Sequence, residues 1–182
     1  LIGAGWWATA AHIPGLKEIP DRAELVAVAR RNSEKLQAIG ERYGIPFRFT
    51  DYREMLDQVE LDAVVVSTPH AEHYPAARAA LEHGCHVLIE KPMVLRTSHA
   101  RDLVTLADKV KRHIVISFPY LFDPIADLVR SMLAEIGRLE FVTSTFATRA
   151  AEFMTGPRGY RGGTERFPFE PPDPATYSDP TL

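Results

Sequence analysis

The sequence predicts an α/β fold: a doubly wound parallel-sheet domain, of the Rossmann type, up to about residue 118, followed by the start of an α+β domain. Three observations carry this. Short apolar runs alternate with helical stretches along the first two-thirds of the chain. Each run is continuous, as in a strand buried on both faces, where an antiparallel sheet would show alternation. Successive runs are mostly a dozen or more residues apart with a helix between them, which is what a parallel crossover needs.

The elements follow in order. Leu25-Val26-Ala27-Val28 reads as a strand, and Ser33 to Tyr43 as a helix with Leu36, Ile39 and Tyr43 on one side. Ser33 suits an N-cap and Gly44 the residue just past the helix. Ala63-Val64-Val65-Val66 is the next strand, followed by an alanine-rich helix from about His70 to Glu82 that Gly84 ends. Val87-Leu88-Ile89 leads to a helix from about Ser98, and Ile114-Val115-Ile116 is the last strand of this series. The pattern then changes. Ile125, Leu128, Val129, Met132, Leu133 and Ile136 form the apolar stripe of one long amphipathic helix that stops at Gly137. Leu139 to Ala147 reads as a longer strand that opens the second domain, residues 119–182. Six of the fourteen prolines lie beyond Thr148, where no periodicity is visible.

Composition narrows the function. The chain has 182 residues, 46% hydrophobic and 25% charged, with a net charge of −3. That balance gives no electrostatic footprint for nucleic acid or an anionic membrane. No apolar run approaches the roughly 18 residues of a membrane span. Cys85 is the single cysteine, so no internal disulfide forms and a reducing cytoplasm is the expected setting. Both ends read as cut: the chain opens at Leu1-Ile2-Gly3, with most of a first strand absent, and closes on YSDPTL. The expectation is therefore a fragment, incomplete as a catalyst.

Leu1-Ile2-Gly3-Ala4-Gly5-Trp6-Trp7-Ala8 fits G-x-G-x-x-G/A at a strand end and before a helix. Gly3 permits the tight turn, Gly5 lets backbone approach a pyrophosphate, and small Ala8 lets helix and strand pack closely. The helix start offers N–H groups to phosphates. A glycine turn alone is weak, but the βαβ alternation follows it at the right distance. About 25 residues on, an NAD site would place a carboxylate against the ribose. Here Ala29-Arg30-Arg31-Asn32 stands instead. A guanidinium fork suits a 2′-phosphate, so the expected cofactor is NADP ahead of NAD.

In HVLIEKPM, residues 86–93, an apolar strand ends in an acid, a lysine and a proline that its interior would not accept. With this stretch the chain resembles the Gfo/Idh/MocA family of NAD(P)-dependent oxidoreductases. The matches are G-A-G-W-W-A at 3–8, S-T-P-H-A-E-H at 67–73, H-G-C-H-V-L-I-E-K-P at 83–92 and F-P-Y-L-F-D-P at 118–124. The resemblance implies that Gly3, Gly5 and Ala8 hold the pyrophosphate, with Ser67, Thr68, Pro69 and His73 along the dinucleotide. It implies that Glu90 and Lys91 lie near the nicotinamide, with Lys91 as the catalytic group at the substrate oxygen. Trp6 and Trp7 pack beside the dinucleotide or the second domain, and Tyr120 is a substrate-side candidate. His12 sits one position later than the family's commoner placement and is given no role.

The family's principal proton-transfer residues, an Asp and a His after a Gly-rich segment, do not occur before Leu182. The implied reaction is hydride transfer between nicotinamide and a sugar, cyclitol or related polyol or its carbonyl form. A non-redox dinucleotide sensor, and an enzyme using transient oxidation for elimination or glycoside cleavage, are the alternatives. Association of family members through the second-domain sheet implies a homo-oligomer, with Leu139–Ala147 in that sheet. His70 with His73, and His83 with Cys85 and His86, lack zinc-like spacing, so no metal is expected.

Overall fold

The computed structural model describes residues 1–138, 140–143 and 145. They fall into two compact units, one over residues 1–117 and a second that begins at Phe118. The first unit holds five strands: β1 (Ala27–Ala29), β2 (Phe47–Phe49), β3 (Ala63–Val66), β4 (His86–Glu90) and β5 (Ile114–Ser117). All neighbours are parallel, β1 with β2 and β3 with β4 and β5. Ile2 closes the gap between the two groups with parallel bridges to both Ala29 and Val66. Its N–H donates to the Val65 carbonyl at 2.8 Å, and its own carbonyl accepts from Ser67 N–H at 2.8 Å. The order across the sheet is β2, β1, Leu1–Ile2, β3, β4, β5, which is the doubly wound arrangement with its reversal beside Ile2.

Alternation along the strands sorts the core onto two faces. Leu1, Val28, Leu25 and Ile45 pack with Ala4, Ala8, Ile13 and Leu36 on one side. Ile2, Ala27, Ala29, Val64, Val66, Val87 and Ile89 pack on the other, under Met55, Leu81, Leu103 and a row of alanines at 76, 77 and 80. The elements that supply these covers are α1 (Ile13–Lys17), α2 (Ser33–Tyr43), α3 (Tyr52–Gln58), α4 (His73–Glu82) and α5 (Thr97–Val110). At the β5 edge, Val115 remains 44% exposed, so burial of every strand on both faces does not hold there.

Several boundaries differ from the sequence expectation for physical reasons. Asn32, not Ser33, caps α2: its Oδ1 accepts from the Lys35 N–H at 2.8 Å. The expected helix from His70 divides into a 3-10 turn, His70–Glu72, capped by an extended Pro69, and α4, which starts at His73. β1 begins two residues late, at Ala27, while Leu25 is buried ahead of it. β2 and α3 were not foreseen, being short; Asp51 caps α3 by accepting from Arg53 N–H.

In the second unit, Pro119–Phe122 form a 3-10 turn and α6 (Pro124–Ile136) carries the expected apolar stripe. Asp123 caps it by accepting from Ile125 N–H at 2.9 Å. Gly137 follows with φ 76°. Of the expected strand Leu139–Ala147, residues 139, 144, 146 and 147 lie outside the described residues, and residues 140–143 and 145 show no regular structure. Among the described residues, no helix is long and apolar enough to cross a membrane.

Candidate functional site

Three turns leave the sheet at the same edge, because all its strands are parallel. They follow Ile2, β3 and β4, and they carry Gly3–Ala8, Ser67–Pro69 and Glu90–Pro92.

The glycine turn is shaped by its neighbour. Gly3 has φ +88°, and a Cβ there would stand 2.5 Å from the Ser67 carbonyl oxygen and 2.8 Å from Thr68 Cγ2. Gly3 thus lets the first turn close against the second. Gly5 differs: nothing lies within 4 Å of the position its Cβ would take. Open space beside backbone at a helix start is what an incoming pyrophosphate requires. Ala8 is fully buried against Val28 and Ile13, which fits the role of a small residue at a tight helix–strand contact. Trp6 and Trp7 begin the helix with ring centroids 5.6 Å apart, and Trp7 is 38% exposed.

Arg30 leaves the end of β1 and turns toward the glycine turn, where Nη1 donates to the Ala4 carbonyl. Its Nε is buried without a partner, and burial pulls the guanidinium below its ordinary pKa. Arg31 is exposed. Thr68 Oγ1 is likewise buried without a partner. Two orphaned donors and an open Gly5, all beside the same turn, fit a polar ligand such as a dinucleotide.

His73 lies under the second and third turns, fully buried. Nδ1 is 2.8 Å from the Pro92 carbonyl and Nε2 is 3.0 Å from the Thr68 carbonyl. The imidazole thus lies between S-T-P and E-K-P from below, and its ring N–H donates to one of the two carbonyls. The Lys91–Pro92 peptide bond between them is cis.

Glu90 is only 8% exposed at the end of β4. Its Oε1 accepts from Trp7 Nε1 at 2.7 Å and lies 2.8 Å from His12 Nε2, while Oε2 accepts from the Lys91 N–H at 3.2 Å. Burial alone would raise this carboxyl, but hydrogen bonds from Ser117, His12 and Trp7 outweigh it and hold the pKa below its ordinary value. Lys91 is exposed at the mouth of the edge. His70 stands close by: burial lowers its pKa first, and neighbouring His73 and Lys91 lower it further against the pull of Glu90.

The structure therefore gathers Gly3, Gly5, Trp7, Ala8, Arg30, Ser67, Thr68, Pro69, His73, Glu90 and Lys91 along one edge. Tyr120, 73% exposed, belongs to the second unit. His12, His70 and Ser117 were missed as site residues. His12 and His70 lay close to motifs, but nothing in their spacing pointed at Glu90. Among the described residues, no group of three or more His, Cys, Asp or Glu is placed to hold a metal ion. Cys85 is a buried core residue whose thiol burial pushes up.

This arrangement of glycine turn, S-T-P and E-K-P on one parallel edge coincides with a family model. Residues 1–118 match the oxidoreductase family with an NAD-binding Rossmann fold, GFO_IDH_MocA. The chain belongs to this family. It is 35% identical over 122 residues to the D-glucoside 3-dehydrogenase of Escherichia coli, covering 67% of this chain and 34% of that protein. Among solved structures, the WlbA dehydrogenase from Bordetella pertussis, in complex with NADH and UDP-GlcNAcA, is 29% identical with a TM-score of 0.68. That match covers 74% of this chain and 40% of WlbA. A mutant of KijD10, a 3-ketoreductase from Actinomadura kijaniata in complex with TDP-benzene and NADP, is 30% identical with a TM-score of 0.69, covering 74% and 41%. The chain spans about two-fifths of the length of the first curated relatives it matches, 38–39%.

Proposed function

We propose that residues 1–118 bind NAD(P) for an oxidoreductase that acts on a sugar, cyclitol or related polyol, or on its carbonyl form. Residues 119–182 then open its substrate and oligomerisation domain. The observation that carries this reading is the convergence of an open Gly5 and an exposed Lys91 on one sheet edge. Family membership sets the reaction class, and relatives named for glucoside and nucleotide-sugar chemistry support the substrate class.

A bound nicotinamide supplies the acceptor or donor of hydride. The protein's own task is at the substrate oxygen, which loses a proton as its carbon loses hydride. A Lys91 amine hydrogen-bonded to that oxygen takes its proton as hydride leaves, becoming an ammonium, and the ammonium gives the proton back in the reverse direction. Gly5 and the helix start receive the pyrophosphate, and Thr68 Oγ1 meets the dinucleotide from β3. Arg31, with Arg30 released from Ala4, pairs with a 2′-phosphate, which favours NADP over NAD. The buried Cys85 suits a reducing cytoplasm, and the exposed apolar stripe of α6 suits assembly of the second domain.

The test is a panel of aldoses, cyclitols and glucosides with NADP⁺ and NAD⁺, followed through nicotinamide absorbance. Lys91→Met is expected to keep dinucleotide binding and lose about 10²-fold or more in turnover. Turnover that survives Lys91→Met unchanged would overturn the assignment of Lys91. Turnover of substrate with no net change in nicotinamide would favour a transient-oxidation mechanism.

A further inference from the structure

Trp7 and His12 both reach Glu90 Oε1, although they stand five residues apart on one helix. In an α-helix, five residues at about 100° each would put them some 140° apart, on different faces. The segment between them is not α-helical. Ala8–His12 form a π-turn, with the Ile13 N–H donating to the Ala8 carbonyl five residues back. A turn of i→i+5 bonds brings residues five apart close to one line. Isolated π-turns occur often at functional positions, and this one places an indole N–H and an imidazole nitrogen against one carboxylate oxygen. A carboxylate only accepts, so the His12 bond requires the proton on Nε2.

We propose that the π-turn builds a clamp on Glu90, and that Trp7 and His12 are positioning residues for the nicotinamide half of the dinucleotide. This rests on the NAD(P)-binding reading above. The helix that begins at Gly5 then serves two purposes. Its first turn faces the pyrophosphate, and its flank fixes the end of β4. With Oε1 held by Trp7 and His12 and Oε2 by the Lys91 N–H, the carboxylate has one orientation. Glu90 pairs with His12 and not with the Lys91 ammonium. The Lys91 side chain is therefore not drawn back onto its own strand, and the surface beside it is preset for the carboxamide end of the cofactor. The clamp is made by the side chains of Trp7 and His12, whereas the pyrophosphate meets backbone at Gly5, so the adenosine and pyrophosphate half does not depend on the clamp.

Calorimetric titration with NADPH, NADH and ADP-ribose separates the two halves, because ADP-ribose lacks the nicotinamide. His12→Leu and Trp7→Phe are each expected to weaken the dinucleotides about tenfold while ADP-ribose binding stays within about twofold. His12→Gln, whose amide N–H reaches about where Nε2 lies, is expected to restore most of the loss. Equal weakening of ADP-ribose and dinucleotide, or no weakening of either, would overturn the proposal. If His12→Leu does not fold, Trp7→Phe and His12→Gln decide the matter alone. Wild-type chain that binds none of the three ligands contradicts the cofactor reading itself, an outcome distinct from failure of the clamp.

Discussion

The Gly3 Cα lies so close to Ser67 that a Cβ on it would stand 2.5 Å from the Ser67 carbonyl oxygen. That contact locks the glycine turn to the end of β3, and Gly3 also sits at φ +88°. Both effects oppose a side chain. Gly3→Ala is expected to cost about 2–5 kcal/mol of folding stability, from left-handed strain plus overpacking against backbone. Urea unfolding checks this.

His73 stands between two carbonyl oxygens in a fully buried position. Removing its ring leaves the carbonyl that accepts its N–H unpaired and opens a cavity. His73→Ala is expected to destabilise by about 2–4 kcal/mol. His73→Phe fills the space but does not replace the N–H donor, so it should recover only part of that loss in the same unfolding measurement.

The Glu90 carboxyl has a folded pKa below its ordinary value of 4.5. A depressed carboxyl contributes stability that is complete above the unfolded value and disappears as pH falls through the folded one. Wild type is therefore expected to exceed Glu90→Gln in stability near neutrality. The gap should close as acidification carries the pH below the folded pKa, itself under 4.5, where both forms are neutral at this position. Thermal melts of the two proteins across pH read the gap directly.

Arg30 and Arg31 stand where an NAD site would carry a carboxylate. NADPH is expected to bind about tenfold tighter than NADH, a margin of about 1.4 kcal/mol. The double variant Arg30→Asp with Arg31→Asp should remove or reverse it in paired titrations. A margin unchanged in that variant would rule out both arginines as the reader of the 2′-phosphate.

How far the sequence anticipated this structure depended on what each element rests on. β3, β4 and β5 were legible because they are continuous apolar runs, and α5 because Leu103 and Ala107 repeat at helical spacing. β2 was not: Phe47-Arg48-Phe49 is three residues long, with Phe47 49% exposed, and carries no apolar run. The glycine turn and E-K-P were visible as motifs. The role of Gly3 was read as a tight turn, whereas the nearest atoms belong to Ser67, more than sixty residues away in the chain. The π-turn leaves no mark in hydrophobic periodicity, since its signal is one hydrogen bond. The His12–Glu90 contact spans 78 residues and exists only once the sheet has brought β4 beside the first turn. His73 was expected along the cofactor; it is buried beneath the two turns, between the Thr68 and Pro92 carbonyls.

The measurement that bears most directly on the central claim is a titration of the folded chain with NADPH and NADH, beside Gly5→Val. The open space at Gly5 predicts that the variant unfolds with wild-type stability, within about 1 kcal/mol. It also predicts that the variant loses dinucleotide affinity by tenfold or more, because a side chain would occupy the pyrophosphate's place. A folded wild type that binds neither dinucleotide, or a Gly5→Val variant that binds them equally well, would contradict the assignment of this edge as the cofactor site.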